Sequence, residues 1–175
     1  MSEAASTVWL PRTGIGYDVH QFAAPGQRPL ILGGVEIPSD RGLLGHSDAD
    51  VLSHAIADAV FGALGEPDIG FWFPPTDPQW SGMCSLDILA RAAERARELG
   101  ARLVHVDSSL IAESPKVMPH ADAMRAAIGR ALGLAPRSVG IKATTNERMG
   151  FVGRGEGIAA MAVATVLMPD RAGEG

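Results

Sequence analysis

The last regular stretch of the chain, Ile158 to Leu167, is apolar on both faces, with Ala, Met and Val dominating. A strand of that kind has no side to give to water, so both faces of the sheet that holds it must be covered. One cover is helical. Val51, Leu52, Ala55, Ile56, Ala59, Val60, Ala63 and Leu64 recur at helical spacing. Ser85 to Leu99 and Pro119 to Leu132 also read as helices, ended by Gly100 and Gly133. Three helices cover one sheet face at most. The other face therefore calls for a second copy of the chain.

The remaining strands fill out an α+β domain: a mixed four-stranded sheet with an extra hairpin and helices layered on one face. Thr13 to Phe22 opens it. Leu30 to Ile37 reads as a hairpin turning at Gly33-Gly34. Leu103 to Ala112 alternates, with Val104, Val106, Ser108 and Leu110 on one side, and Val139 to Thr145 forms a further strand. Gly65 to Gly82, with four prolines and the aromatics Phe71, Trp72, Phe73 and Trp80, reads as a long loop with no regular element. Asn146 to Gly157 reads as a glycine-rich loop. Residues 13–168 are expected to form a single domain, between a flexible extension over 1–12 and a flexible tail over 169–175.

Composition narrows the function classes. The 175 residues carry a net charge of −5 with no long basic run, which argues against nucleic acid as a partner. No apolar run is long enough to span a bilayer, and Met1 to Pro11 lacks the apolar core of a secretory signal, so the expected location is cytoplasmic. A lone Cys84 forms no internal disulfide and has no partner spacing for a zinc knuckle.

The chemistry-bearing residues fall in two groups. Asp18 and His20 share one face of the first strand, with Val19 opposite. On the first long helix Asp50, His54 and Asp58 share one side, and Ser47 or Asp48 is placed to cap its start. Asp18, His20 and His54 are a good zinc set that leaves a fourth position open. The plain alternatives are an Asp18–His20 pair at an exposed edge and a hydrogen-bonded core histidine at 54. The second group is Lys142 to Glu147, where Thr144, Thr145 and backbone N–H groups suit phosphate oxygens and Glu147 suits a magnesium shared with them. The plain alternatives, favoured on these residues alone, are ordinary strand propensity for the threonines and a solvated turn acid at 147.

Six motifs then match one family in order: Gly14-x-Gly16-Tyr17-Asp18-Val19-His20, Leu43 to Ala55 around Gly45-His46-Ser47, Gly65-x-x-Asp68-Ile69-Gly70, Pro115-Lys116-x-x-Pro119-His120, Lys142 to Glu147, and Gly150 to Ala159. Over about Gly14 to Leu167 the chain resembles the 2-C-methyl-D-erythritol 2,4-cyclodiphosphate synthases of non-mevalonate isoprenoid biosynthesis. The resemblance implies a homotrimer with active sites between subunits, and ring closure of 4-diphosphocytidyl-2-C-methyl-D-erythritol 2-phosphate with loss of CMP.

It further implies Zn2+ on Asp18, His20 and His54, and Mg2+ or Mn2+ on Glu147 with the substrate diphosphate. His46 and Thr145 take transition-state roles. Asp18, Val19, His20, His46 and Ser47 meet the substrate. Asp68, Ile69 and Gly70 lie on the ribose side. Phe73, Pro74, Pro75, Thr76 and Asp77 surround the methylerythritol. Ala112, Glu113, Ser114, Pro115, Lys116, Val117 and Met118, with Thr144 and Thr145, belong to the cytidine pocket supplied by a neighbour, and Asn146 and Glu147 beside them meet the substrate. Phe151 and Arg154 face ligand, and Arg154 with Glu156 is placed to line a cavity on the threefold axis that takes an isoprenoid diphosphate. Pro75 stands where some members carry an acid, and Asn146 where threonine is frequent. A non-catalytic nucleotide-binding trimer and a zinc phosphohydrolase are the competing readings.

Overall fold

The computed structural model describes residues 7–170. Its frame is a mixed four-stranded sheet in the order β1-β6-β4-β5, built from β1 (Trp9–Gln21), β4 (Arg102–Ile111), β5 (Val139–Thr144) and β6 (Gly157–Pro169). β6 runs antiparallel to both β1 and β4, and β4 runs parallel to β5. β2 (Leu30–Leu32) and β3 (Val35–Ile37) form a separate hairpin. Gly33 and Gly34 turn it with φ of 56° and 72°, the left-handed pair that a two-residue turn requires. The hairpin is as the sequence predicts.

Helices α1 (Val51–Leu64), α3 (Ser85–Glu98) and α4 (Ala121–Leu132) pack on one face of the sheet. α1 is buried almost all round, and it lies directly on β1 and β6. Its approach is close because β1 presents Gly14 and Gly16 there, paired with Ala164 and Ala162 of β6. A Cβ on Gly14 would stand 2.1 Å from the Ala59 carbonyl oxygen, and one on Gly16 would stand 1.9 Å from that of Ala55. Those are backbone atoms of α1, which no side-chain rotation can move. The outer face of α3 is the solvated one expected, with Arg91 bridging Glu94 and Glu98.

Among the described residues nothing covers the opposite sheet face. Ile15, Tyr17, Val19, Met161 and Val163 stand exposed on neighbouring rungs of β1 and β6, with Ile15 at 67%.

Several boundaries differ from expectation. β1 starts at Trp9, so residues 9–12, assigned to a flexible extension, pair with β6 out to Pro169; residues 1–6 and 171–175 lie outside the described ones. The cap of α1 is Asp50, not Ser47 or Asp48, because its carboxylate accepts the Ser53 N–H. The loop after α1 contains α2 (Ile69–Trp72), capped by Asp68, and a 3₁₀ turn Pro78–Trp80; both are too short to leave a periodic pattern. The glycine-rich loop likewise contains α5 (Gly150–Gly153). A register shift between Leu103 and His105 takes Val104 out of the buried face. A 3₁₀ turn Met118–His120 precedes α4, which therefore starts after Pro119.

Gly16→Ala should push α1 off β1. We expect a loss of at least about 3 kcal/mol in urea unfolding, while Ile15→Ala on the open face should change monomer packing little.

Candidate metal centre and active site

The site forms where β1 passes the first turn of α1. Asp18 and His20 leave the inner face of β1, and His54 leaves α1 towards them, while Val19 points to the open face. Asp18 Oδ2 lies 3.0 Å from His20 Nε2 and 3.0 Å from His54 Nδ1, and the two nitrogens are 3.2 Å apart. A tetrahedral zinc with ligands near 2.0–2.1 Å has edges of about 3.3 Å. The three atoms thus already form one face of such a tetrahedron. Of the histidines, aspartates and glutamates among the described residues, this group stands out as a metal site.

The other ring nitrogens fix the tautomers. His20 Nδ1 donates to the Leu44 carbonyl at 2.6 Å, which turns the Nε2 lone pair inward. His54 Nε2 meets Ser85 Oγ at 2.9 Å and Ser47 Oγ at 3.1 Å. The Ser85 hydroxyl itself donates to Asp48, whose other carboxylate oxygen accepts the Ser85 N–H at 2.9 Å. Ser85 therefore accepts from His54 Nε2–H, and His54 Nδ1 also turns a lone pair inward. Three lone pairs face one another, an arrangement that demands a proton or a cation between them.

Without metal the proton fills that role. Burial raises the Asp18 carboxyl, but the hydrogen bonds from His20 and His54 outweigh it and hold Asp18 well below the carboxylate range. For His20, burial works against charge, and the Asp18 hydrogen bond and charge prevail, so its pKa is raised.

The acidic stripe on α1 divides into three jobs. Asp50, fully buried, accepts from Gly33 N at 2.8 Å, Gly34 N at 2.7 Å, and both the N–H and hydroxyl of Ser53. Burial raises its pKa despite those donors. It ties the hairpin to the helix start. Asp58 accepts the Ile69 N–H at 2.8 Å and anchors α2, with its pKa also raised by burial. Only His54 of the three reaches the metal group.

A cavity of about 460 Å³ opens over the triad. Asp18, His20, His46, Ser47 and His54 form its polar end. Ile69, Gly70, Phe73, Pro75, Thr76 and Asp77 also line it. Arg28 holds the loop that carries His46 and Ser47 by donating to the carbonyls of Gly45, at 3.1 Å, and Ser47, at 2.7 Å. Phe73 and Trp80 meet edge to face at 5.1 Å, so the aromatic loop forms a wall.

Some expected residues stand elsewhere. Asp68 and Pro74 are not in the cavity lining; Asp68 caps α2 by accepting the Phe71 N–H. Ala112 to Met118 and Thr144 to Glu147 gather where the paired strands β4 and β5 end, and none of them lines this cavity. Val117 is core, 3% exposed. Phe151 and Arg154, on and after α5, are also outside the lining, and Arg154 pairs with Glu156 at 2.6 Å.

The sequence model of the YgbB family matches residues 11–167. The chain belongs to the YgbB family. A relative from Akkermansia muciniphila, named 2-C-methyl-D-erythritol 2,4-cyclodiphosphate synthase, is 64% identical over 158 residues, spanning 90% of this chain and 93% of that one. Among solved structures, the bifunctional IspDF of Campylobacter jejuni matches with a TM-score of 0.87 at 39% identity. The match covers 92% of this chain and 43% of that longer one. The CDP complex of Plasmodium falciparum IspF matches with a TM-score of 0.78 at 31% identity, covering 91% and 96%.

Sequence reasoning missed Asp48, Ser85, Leu44 and Arg28. Their roles depend on partners 24 to 37 positions away for three of them, and no local spacing reports that.

Ser85→Ala removes the acceptor that sets the His54 tautomer. Zinc affinity, read by competition with a chromophoric chelator, should fall by about 10–100-fold. In the wild type a proton competes with the metal for the His20 Nε2 lone pair, and the raised His20 pKa lets it do so from a higher pH. Zinc affinity should therefore be flat above that value and fall steadily as pH drops through and below it.

Proposed function

We propose that this chain closes 4-diphosphocytidyl-2-C-methyl-D-erythritol 2-phosphate to 2-C-methyl-D-erythritol 2,4-cyclodiphosphate. An oxygen of the 2-phosphate forms a bond to the β-phosphorus, the bond from that phosphorus to the bridging oxygen breaks, and CMP leaves with the oxygen. The observation that carries this reading is the triangle of Asp18, His20 and His54 facing a cavity with a mostly apolar wall. Membership in a family whose relatives carry this name supports it.

The reaction needs no protein nucleophile, because the attacking phosphate is tethered to its target; tethering is worth roughly 7–11 kcal/mol. What remains is repulsion between anionic groups. The divalent cations, Zn2+ on Asp18, His20 and His54 and Mg2+ or Mn2+ on Glu147, supply charge neutralisation to those phosphates when bound. His46 and Ser47, at the cavity rim, donate to phosphate oxygens. Thr145 stabilises charge that develops at the reacting phosphorus. Gly70, Phe73, Pro75 and Thr76 shape the space beside the substrate's carbon chain and exclude water.

The second cluster completes the site from another copy. Thr144 to Glu147 and Ala112 to Met118 do not line their own chain's cavity, and the open face of β1 and β6 offers Ile15, Tyr17, Met161 and Val163 for burial. We read the assembly as a homotrimer with the cytidine held by the neighbour's residues. Asp68 and Ile69 then meet the ribose side through backbone atoms. Arg154 and Glu156 are our candidates for the threefold axis and an isoprenoid diphosphate there. No helix of the described residues is long and apolar enough to cross a membrane; we place the enzyme in the cytoplasm, where Cys84 stays a thiol.

A phosphorus NMR time course on the cytidine-linked substrate tests this. Two mutually coupled ring signals should grow with CMP, should stop after chelation, and should return with divalent metal. Release of inorganic phosphate would mean a hydrolase, and CMP binding without turnover under any metal would mean a binding module. Sedimentation should give three chains per particle, and Val163→Glu should dissociate it and abolish turnover together.

A further inference from the structure

The turn after β5 carries two adjacent residues in the left-handed region, Glu147 at φ 50° and Arg148 at φ 60°. Residues with a Cβ avoid that region, and a pair in sequence persists only where the surroundings hold it. The holding group is one side-chain oxygen. Glu113 Oε1, from the segment just after β4, accepts the N–H of Asn146 at 3.0 Å and that of Arg148 at 3.1 Å. It thus spans the turn on both sides of Glu147. The Ala112 N–H, donating to the Thr144 carbonyl at 3.0 Å, carries the β4–β5 pairing one step further and fixes where Glu113 starts. Within the turn, Asn146 and Met149 exchange two hydrogen bonds, with the Met149 N–H donating to the Asn146 carbonyl and Asn146 Nδ2 to the Met149 carbonyl. The product of this conformation is that Thr145 Oγ1 donates to Glu147 Oε1 at 2.9 Å, which sets the two side chains as a pair.

We propose that Glu113 is a positioning residue for the reacting diphosphate: its carboxylate holds the left-handed pair at 147 and 148, and so presents Glu147 and Thr145 together. This rests on the reading of Glu147 as the ligand of the substrate-bound Mg2+. Glu113 Oε1 is engaged by two backbone N–H groups of the turn, so its effect on the Mg2+ requirement runs through Glu147, separately from any contact that residues 112–118 make with the cytidine. A neutral acceptor of the same shape can make the same two bonds, and a glycine at 148 removes the need for part of them.

The test compares E113A, E113Q, the double variant E113A/R148G and E147Q in the zinc-loaded enzyme. Two quantities are read: amide hydrogen exchange at Asn146 and Arg148, and the Mg2+ concentration for half-maximal rate, with kcat and KM recorded separately. E113A should expose both amides, raise the Mg2+ requirement by about 10–100-fold and lower kcat more than it raises KM. E113Q should keep both amides protected and the Mg2+ requirement near that of the wild type. E113A/R148G should recover most of the Mg2+ requirement lost in E113A. Protected amides in E113A would overturn the proposal, as would a KM-only effect or a glycine that restores nothing. E147Q separates the two levels. If it leaves the Mg2+ requirement unmoved, the metal reading of Glu147 has failed and the proposal fails with it. If it raises the requirement and E113A does not, the proposal alone has failed.

Discussion

Everything in the site depends on how closely α1 can lie on β1. Gly14 and Gly16 let the helix backbone come within reach of the strand backbone, and Ala55, Ala59 and Ala63 keep the helix side equally thin. Asp18 and His20 then emerge just beyond the contact, on the same strand face, while His54 emerges one turn before Ala59. The 3.0–3.2 Å spacing of their ligand atoms follows from that approach. A wider gap between helix and strand would separate the imidazole of His54 from the carboxylate of Asp18, whatever their rotamers.

The same region shows how environment sorts chemically identical groups. Four aspartates stand close in sequence or space, and each carboxylate meets different donors. Asp50 collects four donors in a dry pocket and joins hairpin to helix. Asp48 takes the Ser85 hydroxyl and N–H, and through Ser85 orients His54. Asp58 accepts the first N–H of α2, from Ile69, and anchors that helix to α1. Asp18 accepts the Val19 N–H on Oδ1, and its Oδ2 meets only imidazoles, so that oxygen stays directed at a shared point. The ionised form of Asp18 is secured by its partners, not by water, which suits a ligand that must hold a cation in a half-buried place.

Much of this was legible in the residues, and the remainder was not for identifiable reasons. Strand alternation alone put Asp18 and His20 on one face, and helical periodicity put His54 on a buried helix. The hairpin at Gly33-Gly34 was legible because only such residues turn so tightly. The separate partners of Asp50 and Asp58 were not legible, because spacing reports a shared side and not which donor each carboxylate meets. α2 and α5, at four residues each, are set by a cap and by loop closure rather than by a pattern. The exposure of Val104 comes from a register shift that no alternation rule contains. Ser85 read as a helix start, and Cys84 takes the cap position while the Ser85 hydroxyl serves His54. Whether Glu147 and His54 ever share a substrate is a matter of how copies assemble, which lies beyond any reading of one chain's periodicity.

The chemistry assigned to the cavity asks little of the protein beyond geometry and charge. A tethered anion closes on its own diphosphate once repulsion is relieved, so ligands and donors matter and a nucleophile does not. The central claim is that three side chains from two elements converge on one cation. Zinc-edge X-ray absorption on the purified protein examines that convergence most directly. The account predicts one tightly held zinc per chain, with two imidazole nitrogens near 2.0–2.1 Å and a carboxylate oxygen near 2.0–2.2 Å. A sulfur at about 2.3 Å, or a shell of oxygens without imidazole scattering, would contradict it.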